Sequence, residues 1–272
     1  MVMIEKGYVK VESLQVHYKR SGDFNKCGGK TLLLLHEMPL SSDVFDLILP
    51  KLATQVTVIA IDLPGFGNSD ASPKIDSVIE YARFLWKVLD LIGIEETSIL
   101  GVHGGASIAI EMADLNPNRV NRLILTGIPL LTNAEIIGLK NGLINLELKK
   151  DGTHFHNWWN FFSEKWSEDT PVEIIHHSVM QVMNAGPNYK VGYHAAFDYD
   201  PTNSLTRLRH PVLLQVAKGD ILASKNNLAM ELISSFCKEE IFQISGHLSQ
   251  RLPQEAATSI LNFLHMDFEE DN

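Results

Sequence analysis

The sequence is short of cysteine, of long apolar runs and of positive charge. Its two cysteines, Cys27 and Cys237, give no disulfide framework and lack the spacing of a zinc site. No apolar run approaches the roughly 18 residues that a membrane span needs, and no basic-then-apolar signal segment is visible. Acidic residues outnumber basic ones by 33 to 23, and the formal net charge is −10. That charge argues against nucleic acid or a membrane as a partner. Because neither a signal segment nor a membrane span is visible, we expect a cytoplasmic protein.

What the chain does have is an alternation of buried strands and helices. Continuous apolar runs at 31–36, 56–61 and 97–102 predict strands that are covered on both faces, and segments with helical spacing separate them. This order predicts an α/β fold with a mostly parallel twisted sheet flanked by helices. From 129 to 209 the alternation is lost, and the chain is helix-prone and rich in aromatics and histidine. We predict a core domain of residues 1–128 and 210–272, with residues 129–209 inserted as a helical cap (lid).

The most informative turn lies within residues 98–111. A strand predicted at 97–102 passes directly into a small-residue run with helical spacing, and Gly101, Gly104 and Gly105 surround the junction. Glycines at these places allow a very tight strand-to-helix turn, because a Cβ there would clash with neighbouring backbone. This is the framework of the nucleophile elbow, Gly-x-Ser-x-Gly, which lifts one strained side chain to the top of a sheet. Here His103 stands where the serine would be.

Five motifs in the expected order give nearly the whole chain a resemblance to the α/β-hydrolase fold superfamily. They are an oxyanion loop at 34–39, a turn-rich loop at 62–70, the elbow, Ala-Lys-Gly-Asp at 217–220 and Ser-Gly-His at 245–247. The chain also resembles a subset of that superfamily with histidine in place of serine at the elbow. Asp-Gly-Thr-His at 151–154 matches a motif in the cap of that subset. The resemblance therefore implies the α/β-hydrolase fold and makes His103 a family feature.

The resemblance also implies a catalytic set. By position, Asp220 matches the acid of the superfamily's triad and His247 matches its base, so Asp220 is expected to hydrogen-bond His247. The backbone N–H groups of Met38 and Gly104 match the donors that hold a developing oxyanion. If the triad logic holds, the imidazoles of His103 and His247 come within hydrogen-bonding reach of each other.

The chemistry of His103 is open to three interpretations. A neutral imidazole is a competent nucleophile, and its acyl-imidazole with an ester is readily hydrolysed by water. The same side chain suits general acid–base work beside His247, and two imidazoles in one site should have their pKa values pushed apart. The third interpretation is that the serine was lost and the pocket only binds a ligand.

Further residues are candidates for binding substrate. In the oxyanion loop, Glu37 stands where the superfamily more often has glycine, and His36 before it either contacts substrate or bonds loop backbone. In the cap the candidates are His154, Trp158 and His194, with plain core packing as the alternative for Trp158. The histidines lack the spacing of a known metal site, and no Gly-x-Gly-x-x-Gly opens a helix. We therefore expect neither a metal nor a cofactor.

These observations predict an enzyme, a cofactor-independent hydrolase of a small apolar carbonyl compound, with His103 at the nucleophile position. The substrate would be an ester, lactone, thioester or C–C-cleavable ketone. One alternative is a cofactor-free lyase or isomerase in which the two histidines form an acid–base pair. Another is a non-catalytic small-molecule binding protein on the same fold. The expected partner is the small-molecule substrate, and the sequence leaves open whether the chain forms a homodimer.

Overall fold

The centre of the fold is one mixed β-sheet in the computed structural model, which describes residues 3–23 and 27–268. Eight strands lie in the order β1-β2-β4-β3-β5-β6-β7-β8. β1 and β2 run antiparallel to their neighbours, and every pairing from β4 to β8 is parallel. The strands are β1 (Ile4–Val11), β2 (Leu14–Ser21), β3 (Thr31–Leu35), β4 (Thr57–Ile61), β5 (Thr97–Val102), β6 (Val120–Thr126), β7 (Val212–Ala217) and β8 (Cys237–Phe242).

The central parallel strands are buried on both faces, as their apolar runs predict. Every residue of β3 and of β4 is buried. In the register of the sheet, Leu33 of β3 lies opposite Ile59 of β4 on one side and Ile99 of β5 on the other. Parallel strands end at the same edge of a sheet, so the loops that follow β3, β5, β6 and β7 meet there. The functional candidates at 36–38, 103 and 220 lie in these loops.

Helices flank the sheet, and one of them is central. α3 follows β5 directly and is buried along ten of its twelve residues, because it packs on β5, β6 and α2 at once. Its small residues allow that close packing. The helices are α1 (Leu49–Leu52), α2 (Val78–Leu91), α3 (Gly104–Leu115), α4 (Asn133–Asn141), α5 (Thr153–Lys165), α6 (Val172–Ala185), α7 (Tyr189–Phe197), α8 (Thr202–Arg207), α9 (Asn226–Leu232), α10 (Leu248–Arg251) and α11 (Pro253–Leu264).

All of the regular secondary structure between β6 and β7 is helical. This segment contains α4 to α8, of which α5 packs on α6 and α7 packs on α3 and α4. The division into a core and a cap at residues 129 and 209 stays a prediction. Within the described residues, none of the helices is long and apolar enough to cross a bilayer.

Two segments between strands are only partly helical. The segment before β4 has a 3₁₀ turn at Ser42–Phe45 followed by the single turn α1, whose Pro50 is tolerated only in a first turn. The segment after β7 has a 3₁₀ turn at Ala223–Lys225 and α9, which ends at Leu232. β8 then begins at Cys237, which pairs with Val212 at the start of β7.

Candidate active site

His103 occupies a strained turn between β5 and α3. Its φ of 48° and ψ of −113° place an L-residue in a region that side chains rarely adopt. The turn is held by its own backbone, because the His103 N–H donates to the Thr126 carbonyl and the Ala106 N–H donates to the His103 carbonyl, both at 2.8 Å. A Cβ on Gly105 would lie 2.3 Å from the Leu35 carbonyl oxygen, so only glycine fits there. The geometry is that of the elbow which the glycine spacing predicts.

The His103 imidazole is paired with the carboxylate of Asp220. The Nε2–Oδ2 distance is 2.7 Å, and the other carboxylate oxygen accepts the Leu222 N–H, also at 2.7 Å. Burial favours the neutral imidazole, but the Asp220 carboxylate outweighs it and raises the pKa of His103 to about 9. Burial likewise opposes the charged form of Asp220, but the facing imidazole lowers the pKa of this carboxyl below its usual value. At neutral pH the pair is therefore an imidazolium and a carboxylate.

His247 has a different carboxylate partner, Glu37 of the loop after β3. The distance from Nδ1 to Oε1 is 2.5 Å, although the carboxylate lies off the line of the ring N–H and forms no well-aligned hydrogen bond. The ring of Trp166 meets the imidazole edge to face at 5.2 Å. Burial lowers the pKa of His247, and the charge on His103 lowers it further, although Glu37 opposes both. His247 is therefore the neutral imidazole of the two.

This pairing corrects the expected triad. Asp220 was predicted to bond His247, and instead it bonds His103; the described residues contain no hydrogen bond between the two imidazoles. The imidazole of His103 extends further from the elbow than a serine hydroxyl would. It therefore meets the carboxylate of Asp220 in the loop after β7. His247 is then paired by Glu37, which stands where the superfamily more often has glycine. The catalytic roles of all four side chains stay predictions.

The predicted oxyanion donors both face the candidate site. Gly104 is the first residue of α3, where backbone N–H groups have no acceptor within the helix. The N–H of Met38 also lacks a protein acceptor among the described residues. The two residues are packed together, because a Cβ on Gly104 would lie 2.5 Å from the Met38 sulfur. Their N–H groups are free to donate to a ligand, and their role in holding an oxyanion stays a prediction.

A cavity of about 500 Å³ opens above these side chains. Its lining contains two histidines and two acidic residues, His103, His247, Glu37 and Asp220, here called the inner wall, while apolar and aromatic side chains form most of the remainder. The aromatic wall includes Phe45, Phe161, Phe162, Trp166, Tyr193 and Phe197. A largely apolar cavity with a few convergent polar groups is typical of a small-molecule site.

Four predicted substrate-binding residues lie outside the cavity wall, and Glu37 alone of the five lies on it. His36 is buried beneath the loop, where its Nδ1 donates to the Glu37 carbonyl and its Nε2 accepts the Leu63 N–H, each at 2.9 Å. Burial lowers its pKa, so it is a neutral structural residue.

The three cap candidates are also absent from the cavity wall. His154 accepts the Lys149 N–H through Nδ1, and Trp158 is buried against Tyr189, with their rings 5.1 Å apart. His194 is half-buried on α7. Helical spacing alone does not show which face of a cap helix meets the core, and a role for these three residues in binding substrate stays a prediction.

Comparisons with known proteins agree with this architecture. A family model described as alpha/beta hydrolase fold matches residues 30–146. A hydrolase from Pseudomonas aeruginosa superposes with a TM-score of 0.82 at 19% identity, over 96% of this chain and 98% of that one. The chain has the α/β-hydrolase fold. The enol-lactonase of Burkholderia xenovorans is also similar, with a TM-score of 0.78 and 15% identity, over 96% of this chain and all of the other.

Similarity in sequence to curated proteins is partial. A 2-hydroxy-6-oxononadienedioate/2-hydroxy-6-oxononatrienedioate hydrolase of Pseudomonas putida is 34% identical over 119 residues, which are 42% of this chain and 40% of that protein. The chain spans about two fifths or less of the length of the curated relatives it matches. The α/β-hydrolase fold is thus confirmed, while membership of the subset with histidine at the elbow stays a prediction.

Two residues that shape the site, Gly127 and Arg251, were not identified as candidates from the sequence. Gly127 follows β6 with φ +63°, and a Cβ there would lie 2.2 Å from Cδ2 of His103. Arg251 ties the loop before α6 to the loop that carries His247, because its guanidinium donates to Thr170 Oγ1 and to the Ser245 carbonyl. A lone glycine after a strand was the available signal for Gly127. Arg251 gave none, because Thr170, its partner across the two segments, is far away in sequence.

The described residues do not form a cluster of metal-ligating side chains. Among the described residues, no group of three or more histidine, cysteine, aspartate or glutamate side chains is placed to hold a metal ion. The four polar side chains of the inner wall are instead arranged as two histidine–carboxylate pairs. What that arrangement can do chemically is hold one protonated and one neutral imidazole in the same cavity.

Proposed function

We propose that the chain is an enzyme that hydrolyses a small, largely apolar carbonyl compound through a histidine acid–base pair. The observation that carries the proposal is that the imidazoles of His103 and His247 have opposite protonation states. His103, paired with Asp220, holds a proton at neutral pH, whereas burial keeps His247 neutral. A general acid and a general base in one cavity are what hydrolysis without a covalent intermediate requires.

The steps follow from these protonation states. Water bound in the cavity attacks the substrate carbonyl carbon while His247 Nε2 takes one of its protons. The N–H groups of Met38 and Gly104 receive the oxyanion that forms on the carbonyl oxygen. When the tetrahedral intermediate breaks down, His103 gives its proton to the leaving alkoxide or thiolate. Transfer of a proton from His247 back to His103 through solvent restores the starting state and leaves an acid and an alcohol or thiol.

A nucleophilic role for His103 has less support. An imidazole attacks a carbonyl only when neutral, with a free ring nitrogen directed at the substrate. Nε2 of His103 is 2.7 Å from Asp220, and the pKa of about 9 keeps the ring protonated at neutral pH. The raised pKa favours proton donation, which is the second of the interpretations that the sequence left open. Because Nε2 faces Asp220, the donated proton is the one on Nδ1.

The similar proteins support hydrolysis as the class of reaction. The Pseudomonas putida relative is named a hydrolase of 2-hydroxy-6-oxo dioates, and the structural neighbour from Burkholderia xenovorans is an enol-lactonase. Both names describe hydrolytic enzymes. The cavity volume and its largely apolar wall support a small, largely apolar substrate.

The test is turnover of a panel of small esters, thioesters and lactones by the wild type and three variants. We expect His247→Gln and His103→Ser each to lower kcat by about 10²–10⁴-fold, the usual cost of losing a general base or acid. His177→Gln, a change at an exposed histidine on α6, is the matched control and should leave kcat unchanged. No burst of the first product is expected, since no acyl-enzyme accumulates.

Other outcomes would assign the site differently. Retained activity in His103→Ser together with a burst would support a nucleophilic elbow in place of the acid–base pair. Deuterium entering recovered substrate from D₂O would support a lyase or isomerase that moves protons between carbon atoms. Tight binding of the compounds without turnover would support the non-catalytic interpretation.

A further inference from the structure

Glu37 carries a buried carboxylate whose close partner is the imidazole of His247. Its side chain is 5% exposed and forms part of the inner cavity wall. Neither carboxylate oxygen has a protein hydrogen bond, and the 2.5 Å contact with the Nδ1 of His247 is not aligned as one. Burying a charged group without such bonds is unfavourable unless something else compensates it. Both oxygens are buried, so Glu37 acts on the contents of the cavity through its charge and not by direct contact.

Because His247 is neutral, its contact with Glu37 does not cancel the charge of that carboxylate. The charges of His103 and Asp220 cancel in their own pair, 2.7 Å apart. The described wall contains no arginine, and its one lysine, Lys165, lies exposed at the end of α5, where solvent and salt screen its charge. The inner cavity thus has one excess negative charge.

We propose that Glu37 makes this cavity selective for carbonyl substrates that carry an ammonium group and against those that carry a carboxylate. The proposal rests on the function proposed above and adds the charge class of the substrate. A cation near Glu37 would supply the compensation that the protein lacks, while an anion would add repulsion in a site of low dielectric constant. The aromatic rings of Trp166, Tyr193 and Phe161 on the same wall favour ammonium groups through their π faces.

A matched series of thioesters tests this selectivity. Butyrylthiocholine carries a trimethylammonium group, S-(3,3-dimethylbutyl) thiobutyrate is its uncharged isostere, and S-(2-carboxyethyl) thiobutyrate carries a carboxylate. For the wild type we expect kcat/KM to fall on the order of tenfold at each step from cation to neutral to anion. We expect both ratios to shrink as salt is raised.

The variant Glu37→Gln keeps the size of the side chain and removes its charge. Because Glu37 also contacts His247, this change should lower kcat for all three compounds, so the ratios within each protein are the readout. We expect the cation-to-neutral and neutral-to-anion ratios to fall to within about threefold of unity in Glu37→Gln, since the Coulomb interaction that separates the substrates is gone. Unchanged ratios in this variant would overturn the proposal.

The variant Lys165→Gln distinguishes this proposal from the alternative hypothesis, in which the lysine at the end of α5 binds an anionic substrate. If Glu37 sets the selectivity, Lys165→Gln leaves the cation-to-neutral ratio unaltered. Preference of the wild type for the carboxylate compound, lost in Lys165→Gln, would instead show that the cavity takes anions.

Binding measurements distinguish failure of this proposal from failure of the proposed hydrolysis. The three amides that correspond to the thioesters, with nitrogen in place of sulfur, resist cleavage, so calorimetric Kd values do not depend on turnover. The ammonium amide should bind on the order of tenfold more tightly than its uncharged isostere, and Glu37→Gln should remove that difference. Equal Kd values for the two amides in the wild type would refute the charge selectivity even if thioesters are hydrolysed.

Discussion

The change Gly127→Ala should uncouple His103 from Asp220 without altering either side chain. A Cβ at position 127 would lie 2.2 Å from Cδ2 and 2.5 Å from Nε2 of the His103 ring, whereas ordinary contact begins near 3.4 Å. The ring must therefore move by more than 1 Å, which breaks the 2.7 Å contact between Nε2 and the carboxylate. Gly127 thus acts as a positioning residue for the imidazolium.

The size of the effect follows from the pKa of His103. Its value of about 9, against an ordinary 6.5, corresponds to a preference for the charged form of about 3 kcal/mol. In Gly127→Ala we expect this pKa to return toward 6.5 in an NMR titration of the histidine ring. In the enzyme assay, kcat at pH 7.5 should fall on the order of tenfold, since a donor with a pKa near 6.5 is only about one-tenth protonated at that pH.

The variant Gly93→Ala is the matched control for the effect of backbone strain. Gly93 also has a left-handed backbone, with φ +77°, but no atom lies within 4 Å of a Cβ placed there. Gly93→Ala and Gly127→Ala should both lose about 1–2 kcal/mol of unfolding free energy from that conformation. Only Gly127→Ala should change the titration and kcat. If the pKa stays near 9 in Gly127→Ala, or falls equally in the control, the proposed positioning role is wrong.

Two further predictions concern stability. The raised pKa of His103 contributes stability that is complete below about pH 6.5 and is lost as the pH rises through about 9, so urea unfolding of Asp220→Asn should lack that decline. Arg251→Met should lower the free energy of unfolding by about 1–3 kcal/mol and raise KM, because it removes partly buried hydrogen bonds between the cap segment and the His247 loop. The exposed partner change Asp169→Asn should cost less than about 1 kcal/mol and leave KM unchanged.

The fold was predictable from the sequence because its signals are local. Apolar runs such as that of β3 mark strands buried on both faces, and the glycines around His103 fit a turn where no Cβ has space. These patterns do not depend on which side chain later meets which partner. The mostly parallel sheet and the strained turn at His103 accordingly agree with the sequence-based expectation.

The pairing of the polar side chains was not predictable in the same way. A motif gives the position of Asp220 and His247, but the partner of each carboxylate depends on the length of the side chain at the elbow. Replacing a hydroxyl by an imidazole lets His103 reach Asp220, and the carboxylate of Glu37 then faces His247. Contacts between distant segments, such as Arg251 with Thr170, leave no periodicity in the sequence.

The decisive experiment reads the protonation of both catalytic candidates in the intact protein. NMR of ¹⁵N-labelled histidine, recorded from pH 5.5 to pH 10, distinguishes an imidazolium from each neutral tautomer, and His103→Gln and His247→Gln assign the signals. We expect His103 to be protonated at pH 7 with a pKa of about 9, and His247 to be neutral at the same pH. A neutral His103 beside a protonated His247 at pH 7 would contradict the acid–base assignment.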